Sequence, residues 1–239
     1  MKYLTILIFI VLSVVYYFTS FGSDDYSQVF LTISTFLFAI FTGFFISRQG
    51  QRYSAIREQI TKFDGEMSSI YRKFGHLGKE AQESAKEIIH DHYEKILTHK
   101  KWDYHFINPS NTITDCHQLL ESVAKDKSLP SLQNFAVQRI LVSLESVQVA
   151  RKGMVALHQE RIPRFQWVLV YFLVAILLVA VSTIPSEGFL IGSILKGAFS
   201  SSALFVVILL NSFDRLHFFE GTIGENSARD ILDIFAGKK

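Results

Sequence analysis

Cysteine is nearly absent. The 239 residues hold one, Cys116, which excludes an internal disulfide framework. Net charge is only +2, so no basic surface is available for nucleic acid, and none is expected as a partner. No segment alternates apolar and polar residues for long, so no sheet is expected. The sequence has no glycine-rich phosphate loop, no G-x-S-x-G, no H-E-x-x-H and no paired cysteines. Neither an enzyme nor a cofactor is therefore expected.

Charge is scarce in two places and crowded in a third. Of the 24 Lys and Arg residues, 18 lie between Arg48 and Arg164, as do 14 of the 22 acids. The flanks are left nearly uncharged, which is the pattern of membrane segments. Four apolar runs stand there: 3–21, 29–47, 165–184 and a fourth at about 193–213. A hydrocarbon core of roughly 30 Å needs about 20 helical residues, and each run is near that length. The bulky YYFTSFGSDD that closes the first run offers no small-residue cleavage site, so the run is read as a span rather than a signal peptide. Lys196 falls near the start of the fourth run. The span is expected to begin near Gly197, with Lys196 snorkelling outward.

Orientation follows from the positive-inside rule. Arg48, Arg52, Arg57 and Lys62 follow the second run, and Arg151, Lys152, Arg161 and Arg164 precede the third. The short loops GSDDYSQ and PSEG carry Asp24, Asp25 and Glu187 and no base. Both termini and the central block are therefore expected in the cytoplasm. The expected fold is all-α and multi-pass, with four transmembrane helices in two hairpins, 1–47 and 165–213. A cytoplasmic helical bundle, 48–164, is inserted between spans two and three, and 214–239 forms a short cytoplasmic tail.

Within the bundle, Arg48–Lys73 holds no proline and is expected to extend the second span as a helix, broken at GHLG, Gly75–Gly78. An amphipathic helix should follow over Lys79–Lys101, carrying Ala81, Ala85, Ile88, Ile89, His92, Ile96 and Leu97 on one side. The stretch Asp103–Asp115, with Asn108-Pro109, reads as a loop. Thr112 or Thr114 opens a helix to about Lys125. Ser128, with Pro130 in the first turn, opens a long one to Gln159. Its expected apolar positions include Leu132, Phe135, Ile140, Leu144, Val147 and Met154. Pro163 marks a break before the third span.

Seven of the eight histidines lie in the central block. His92, His99, Cys116 and His117 are the candidates for a metal site, but their spacing does not demand one, and no metal is expected. The second run is the most patterned. Thr32, Thr35, Ala39 and Thr42 form a small, hydroxyl-bearing stripe; Phe36, Ile40 and Phe44 a second; Phe38, Phe41 and Phe45 a third. Small stripes serve close helix packing. Alternatively, the helix lines a pore, where large apolar rings gate by dewetting and hydroxyls replace hydration.

The stretch IFTGFFISRQGQRY, Ile40–Tyr53, resembles the pore helix of bestrophins, with its Gly-Phe pair in the membrane and an Arg-aromatic pair at the exit. REQITKFDGEMSSIYRKFGHL, RIPRFQWVLVYFLVA and LLNSFDRLHFFEGTIG resemble, in order, later segments of the bacterial bestrophin-like family. The chain departs from true bestrophins where SAIRE follows Arg52-Tyr53 and in its short tail. The resemblance implies a homo-oligomeric ion channel, pentameric as in bestrophins, seated in the lipid bilayer of a bacterial inner membrane. It places an apolar neck at Phe36, Ile40 and Phe44, with Arg48 and Arg52 as a basic ring below. The competing expectation is a non-conducting scaffold or sensor whose cytoplasmic helices bind a partner. Oligomer size separates the two.

Overall fold

The computed structural model describes residues 2–18, 25–108, 110–125, 130–184, 189–217 and 223–238. Among them the chain is helical throughout, with no strand. In order the helices are α1 (Lys2–Phe18), α2 (Asp25–Phe74), α3 (Lys79–His99), α4 (Tyr104–Ile107), α5 (Thr112–Lys125), α6 (Ser131–Gln159), α7 (Arg164–Ser182), α8 (Phe189–Asp214) and α9 (Ile223–Phe235). Three helices are long and apolar enough to cross a membrane: Gln28–Phe74 in its first half, Arg164–Ser182 and Leu190–Asp214. The loops expected outside the membrane, around Asp24 and at 185–188, lie outside the described residues, as does Ser128.

Helix boundaries follow local chemistry. Gly78 has φ of 133°, a conformation in which a Cβ would be strained, and it ends the turn that separates α2 from α3. Pro163 precedes α7 directly, where a missing N–H costs nothing. Pro130 does the same for α6, so the long helix begins at Ser131.

The chain divides into two compact units. The first, 1–51 with 161–215, holds α1, α7, α8 and the first half of α2. Its apolar core joins Phe38 and Phe45 of α2 to Val170, Val174 and Leu177 of α7 and Val207 and Leu210 of α8. Tyr16 of α1 adds polar contacts, its hydroxyl 2.9 Å from Ser200 Oγ and 3.2 Å from the Leu178 carbonyl. The Asp214 carboxylate accepts from the Ile162 N–H at 2.8 Å, which ties the end of α8 to the lead-in of α7.

Helix α8 starts at Phe189, and Lys196 is buried in it with its ammonium donating to the Ile184 carbonyl just past α7. A carbonyl left over at a helix end satisfies the charge locally. One residue later, α8 meets α1 with almost no space. A Cβ on Gly197 would stand 2.2 Å from Ser13 Oγ and 3.0 Å from Ser13 Cα. Because a backbone atom is involved, a side-chain turn cannot relieve the clash. Gly197→Val is expected to lower stability by about 1–3 kcal/mol, read as a reduced melting temperature in detergent. Melting equal to the native protein would show that the two helices part freely.

The second unit, 52–160 with 216–239, packs the second half of α2 against α3, α5, α6 and α9. Its core includes Met67, Ile70 and Phe74 of α2, Ile89 and Tyr93 of α3, Cys116 and Leu120 of α5, and Ile140, Leu144 and Val147 of α6. On α3, Ala81, Ala85, Ile89, His92 and Ile96 of the expected face are buried, while Ile88 and Leu97 at its edges are half-buried. On α6 the pattern divides. Ile140, Leu144, Val147 and Met154 are buried, whereas Leu132 and Phe135 stand in solvent. The stretch expected as a loop contains one helical turn, α4. The segment 214–239, expected as a tail, carries α9, whose Ala228, Ile231 and Phe235 recur at helical spacing and enter this core.

Candidate functional site

The most patterned helix face in the sequence is divided cleanly by packing. Helix α2 turns its Phe38 and Phe45 inward against α7 and α8; Phe45 is only 3% exposed. Phe44, one residue earlier and 60% exposed, points the other way, with Ile40 and Phe36 exposed in line with it. Four-residue steps on a helix advance the direction by only about 40°, so these three side chains form one bare stripe. Gly43 lies beside it, and a Cβ there would meet nothing within 4 Å. The outer surface of this half-helix is therefore continuously apolar and uncovered within the single chain.

The threonine stripe does not share one environment. Thr42 is buried, and its hydroxyl donates to the Phe38 carbonyl at 2.6 Å. Thr32 is exposed and donates to the Gln28 carbonyl at 2.8 Å, and Thr35 is half-buried. Both bonded hydroxyls return to the carbonyl four residues back, an arrangement that satisfies the hydroxyl inside its own helix.

The two arginines at the end of the apolar stretch also differ. Arg48 is half-buried. Arg52 is 4% exposed; its Nε donates to the Leu157 carbonyl at 2.7 Å and its Nη2 to the His158 carbonyl at 2.9 Å. Those carbonyls belong to the last turn of α6 and have no partner within the helix. Arg52 thus caps α6.

The metal candidates are not gathered. Among the described residues no group of three or more His, Cys, Asp or Glu is placed to hold an ion. His92 is buried, stacked on His105 with ring centres 3.9 Å apart, and its Nδ1 lies 3.1 Å from Thr112 Oγ1. His99 stacks on Tyr104 at 4.3 Å. Cys116 is buried in the core, where desolvation pushes its thiol up to about 12, and His117 is half-buried on the same helix.

Burial, with the charges of His105, Arg151 and Lys95, holds His92 well below its ordinary value, so the folded protein keeps the ring neutral. The unfolded chain takes up this proton as pH drops through 6.5. Stability contributed by the neutral ring is therefore complete above that pH and is lost below it, by up to about 1.4 kcal/mol per pH unit for one proton. Denaturant unfolding at pH 7.5, 6.5 and 5.5 should show this decline, and His92→Gln should flatten it. A native profile as flat as the variant's would rule out a buried neutral His92.

One grouping escaped the sequence. Asp64 of α2 accepts from the Tyr93 hydroxyl of α3 at 2.5 Å and from the Ser227 hydroxyl of α9, so three helices meet at one carboxylate. Beside it lies a small cavity reached by His105 of α4 and Arg151 of α6. No motif links these positions, which are scattered along the chain.

Comparison with known proteins gives one finding. The family model described as Bestrophin-like domain matches residues 6–224. No curated protein and no solved structure matches the chain.

Proposed function

The chain belongs to the bestrophin-like family of membrane proteins, and from that premise we propose that it is an oligomeric ion channel, rather than an enzyme, whose pore is lined by α2. The observation that carries this reading is the bare Phe36–Ile40–Phe44 stripe beside a stripe whose Phe38 and Phe45 are buried and whose Phe41 is half-buried. A ring of subunits that turned this stripe inward would close an apolar neck, which empties of water when narrow and conducts ions when slightly widened. Arg48, just past the neck, would raise the local anion concentration by its field. The open face at Gly43 leaves room for a neighbouring chain to approach.

In this reading the first unit is the membrane domain, and α1 joins the three longer helices as a fourth span. Its 17 residues reach about 25 Å, short for the hydrocarbon core but within what snorkelling and local thinning accommodate. The second unit lies in the cytoplasm of a bacterial inner membrane with both termini, as the Arg and Lys residues flanking the spans direct. The assembly is a homo-oligomer, five subunits if it follows bestrophins.

Purified protein in planar bilayers tests the channel, with native mass spectrometry giving the subunit count. Currents from a ring of four or more are expected. A silent protein across pH, calcium and voltage, or a monomer or dimer in lipid, ends the pore reading.

One observation favours a second reading. Leu132, Phe135, Val142 and Val149 leave an apolar stripe exposed along α6 in the second unit. A scaffold or sensor that conducts nothing would use such a face to hold a partner protein. A small oligomer that binds a cytoplasmic partner through this stripe is the result that would select it.

A further inference from the structure

One cation of the first unit stands apart from the others. Lys196 is the sole Lys or Arg between Arg164 and Arg215, and the stretch between Lys2 and Arg48 holds none. It is 6% exposed and lies on the wall of a groove of about 320 Å³, a size at which small ligands are held. The groove runs between Leu31 of α2, Val181 of α7, Ile184 just past it, and Leu195 and Phe199 of α8. Lys196 brings the only polar side chain to that wall.

The ammonium donates to the Ile184 carbonyl, and both residues border the groove, so this bond lies along its wall. The bond uses one of three N–H groups. A carbonyl anchors the ammonium as a dipole and brings no counter-charge. Lys196 has no ion pair among the described residues. Asp214, on the same helix, is at its far end and accepts from the Ile162 N–H.

The groove therefore presents two things to whatever fills it. One is a positive charge with two N–H groups left to donate, which in an apolar setting favours an anion strongly. The other is a carbon surface, on which Leu195 is 65% exposed. A free inorganic anion meets the charge and leaves the carbon bare. A zwitterionic lipid covers the carbon and carries a cation of its own beside its phosphate. A lipid with a net negative headgroup meets both.

We propose that this groove is a binding site for an anionic phospholipid, its phosphate accepting from Lys196 and an acyl chain lying along Leu31, Val181, Leu195 and Phe199. The proposal rests on the first unit being the membrane domain and stands whether or not the chain conducts. In the orientation proposed above, the groove opens to the outer leaflet.

Leu195 sits on the wall and takes a reporter. Full-length protein carrying Leu195→Trp and Trp167→Phe keeps one other indole, Trp102 of the second unit, as a constant background. The protein is reconstituted in phosphatidylcholine vesicles with a low, equal mole fraction of phosphatidylglycerol or phosphatidylcholine brominated on the acyl chains. The brominated phosphatidylglycerol should occupy the groove about fivefold more than brominated phosphatidylcholine, and quench the reporter correspondingly more. Lys196→Met in the same background should bring the two lipids to parity with the helical circular dichroism unchanged, and Lys196→Arg should keep the preference. Should the Met variant not fold, competition in the Lys196 protein replaces it. Unbrominated phosphatidylglycerol should then relieve the quenching, and soluble glycerol phosphate should not. The proposal is overturned by equal quenching from the two brominated lipids, by a folded Lys196→Met that keeps the preference, or by relief with glycerol phosphate, which would mark a site for a free anion.

Discussion

Arg52→Ala is expected to cost about 3 kcal/mol of stability, the largest loss from any single charged side chain considered above. The native guanidinium makes two charge-assisted bonds to the closing carbonyls of α6, at 2.7 and 2.9 Å, from a site only 4% exposed. Such bonds contribute about 1.5–3 kcal/mol each when a charged donor is involved, and truncation also strands the acceptors away from water. The position is also where the negative end of the α6 dipole falls, which favours a cation there. Around it, Ile56, Trp102 and Leu216 form a small apolar cluster, and His158 bonds to Asp103 at 3.1 Å. Losing the cap should therefore loosen this corner as well. Arg52→Lys should recover only part of the loss, because one ammonium cannot reproduce the planar fork. Exposed Arg57 is the control, and its alanine variant should stay within about 0.5 kcal/mol of native. Denaturant unfolding in detergent measures all three. An Arg52→Ala protein as stable as the Arg57 variant would contradict the capping role.

The second large effect is on current. Phe44→Ala should raise conductance several-fold, because removing a ring of aromatic side chains widens and wets the proposed neck. Its melting temperature should change little, since the Phe44 side chain packs on little within its own subunit. Phe45→Ala supplies the contrast. That side chain is in the core with α7 and α8, so its removal should cost about 2 kcal/mol and leave the current per channel as in the native protein. The cost is smaller than in a water-soluble core because the alternative environment is lipid rather than water. Two neighbouring phenylalanines are thus expected to separate conduction from packing. Equal currents from native and Phe44→Ala channels would remove the neck from this helix face.

Much of the fold was legible because its causes are local. Apolar run length announces a spanning helix, GHLG ends one helix and Pro163 opens another, through backbone geometry that no tertiary contact needs to impose. Family membership was legible too, carried by a few motifs in order. The α9 packing face was present as well, in the spacing of Ala228, Ile231 and Phe235, but a tail of mixed composition concealed it. The candidate site was legible in part. Periodicity separated the Phe36–Ile40–Phe44 stripe from the Phe38–Phe41–Phe45 stripe without saying which of them faces inward.

The sequence by itself determined an all-helical membrane protein of the bestrophin-like family, because helix period, hydropathy and motif order are properties of neighbouring residues. Only the tertiary structure decided which phenylalanines are covered, that Arg52 closes a helix whose carbonyls lie 105 residues on, that Lys196 turns back to Ile184, and that Arg151 and His105 share a cavity. Each of these depends on where a distant backbone group or side chain comes to rest. Hydrogen-bond partners and burial are set by packing in space, and spacing along the chain carries no record of them.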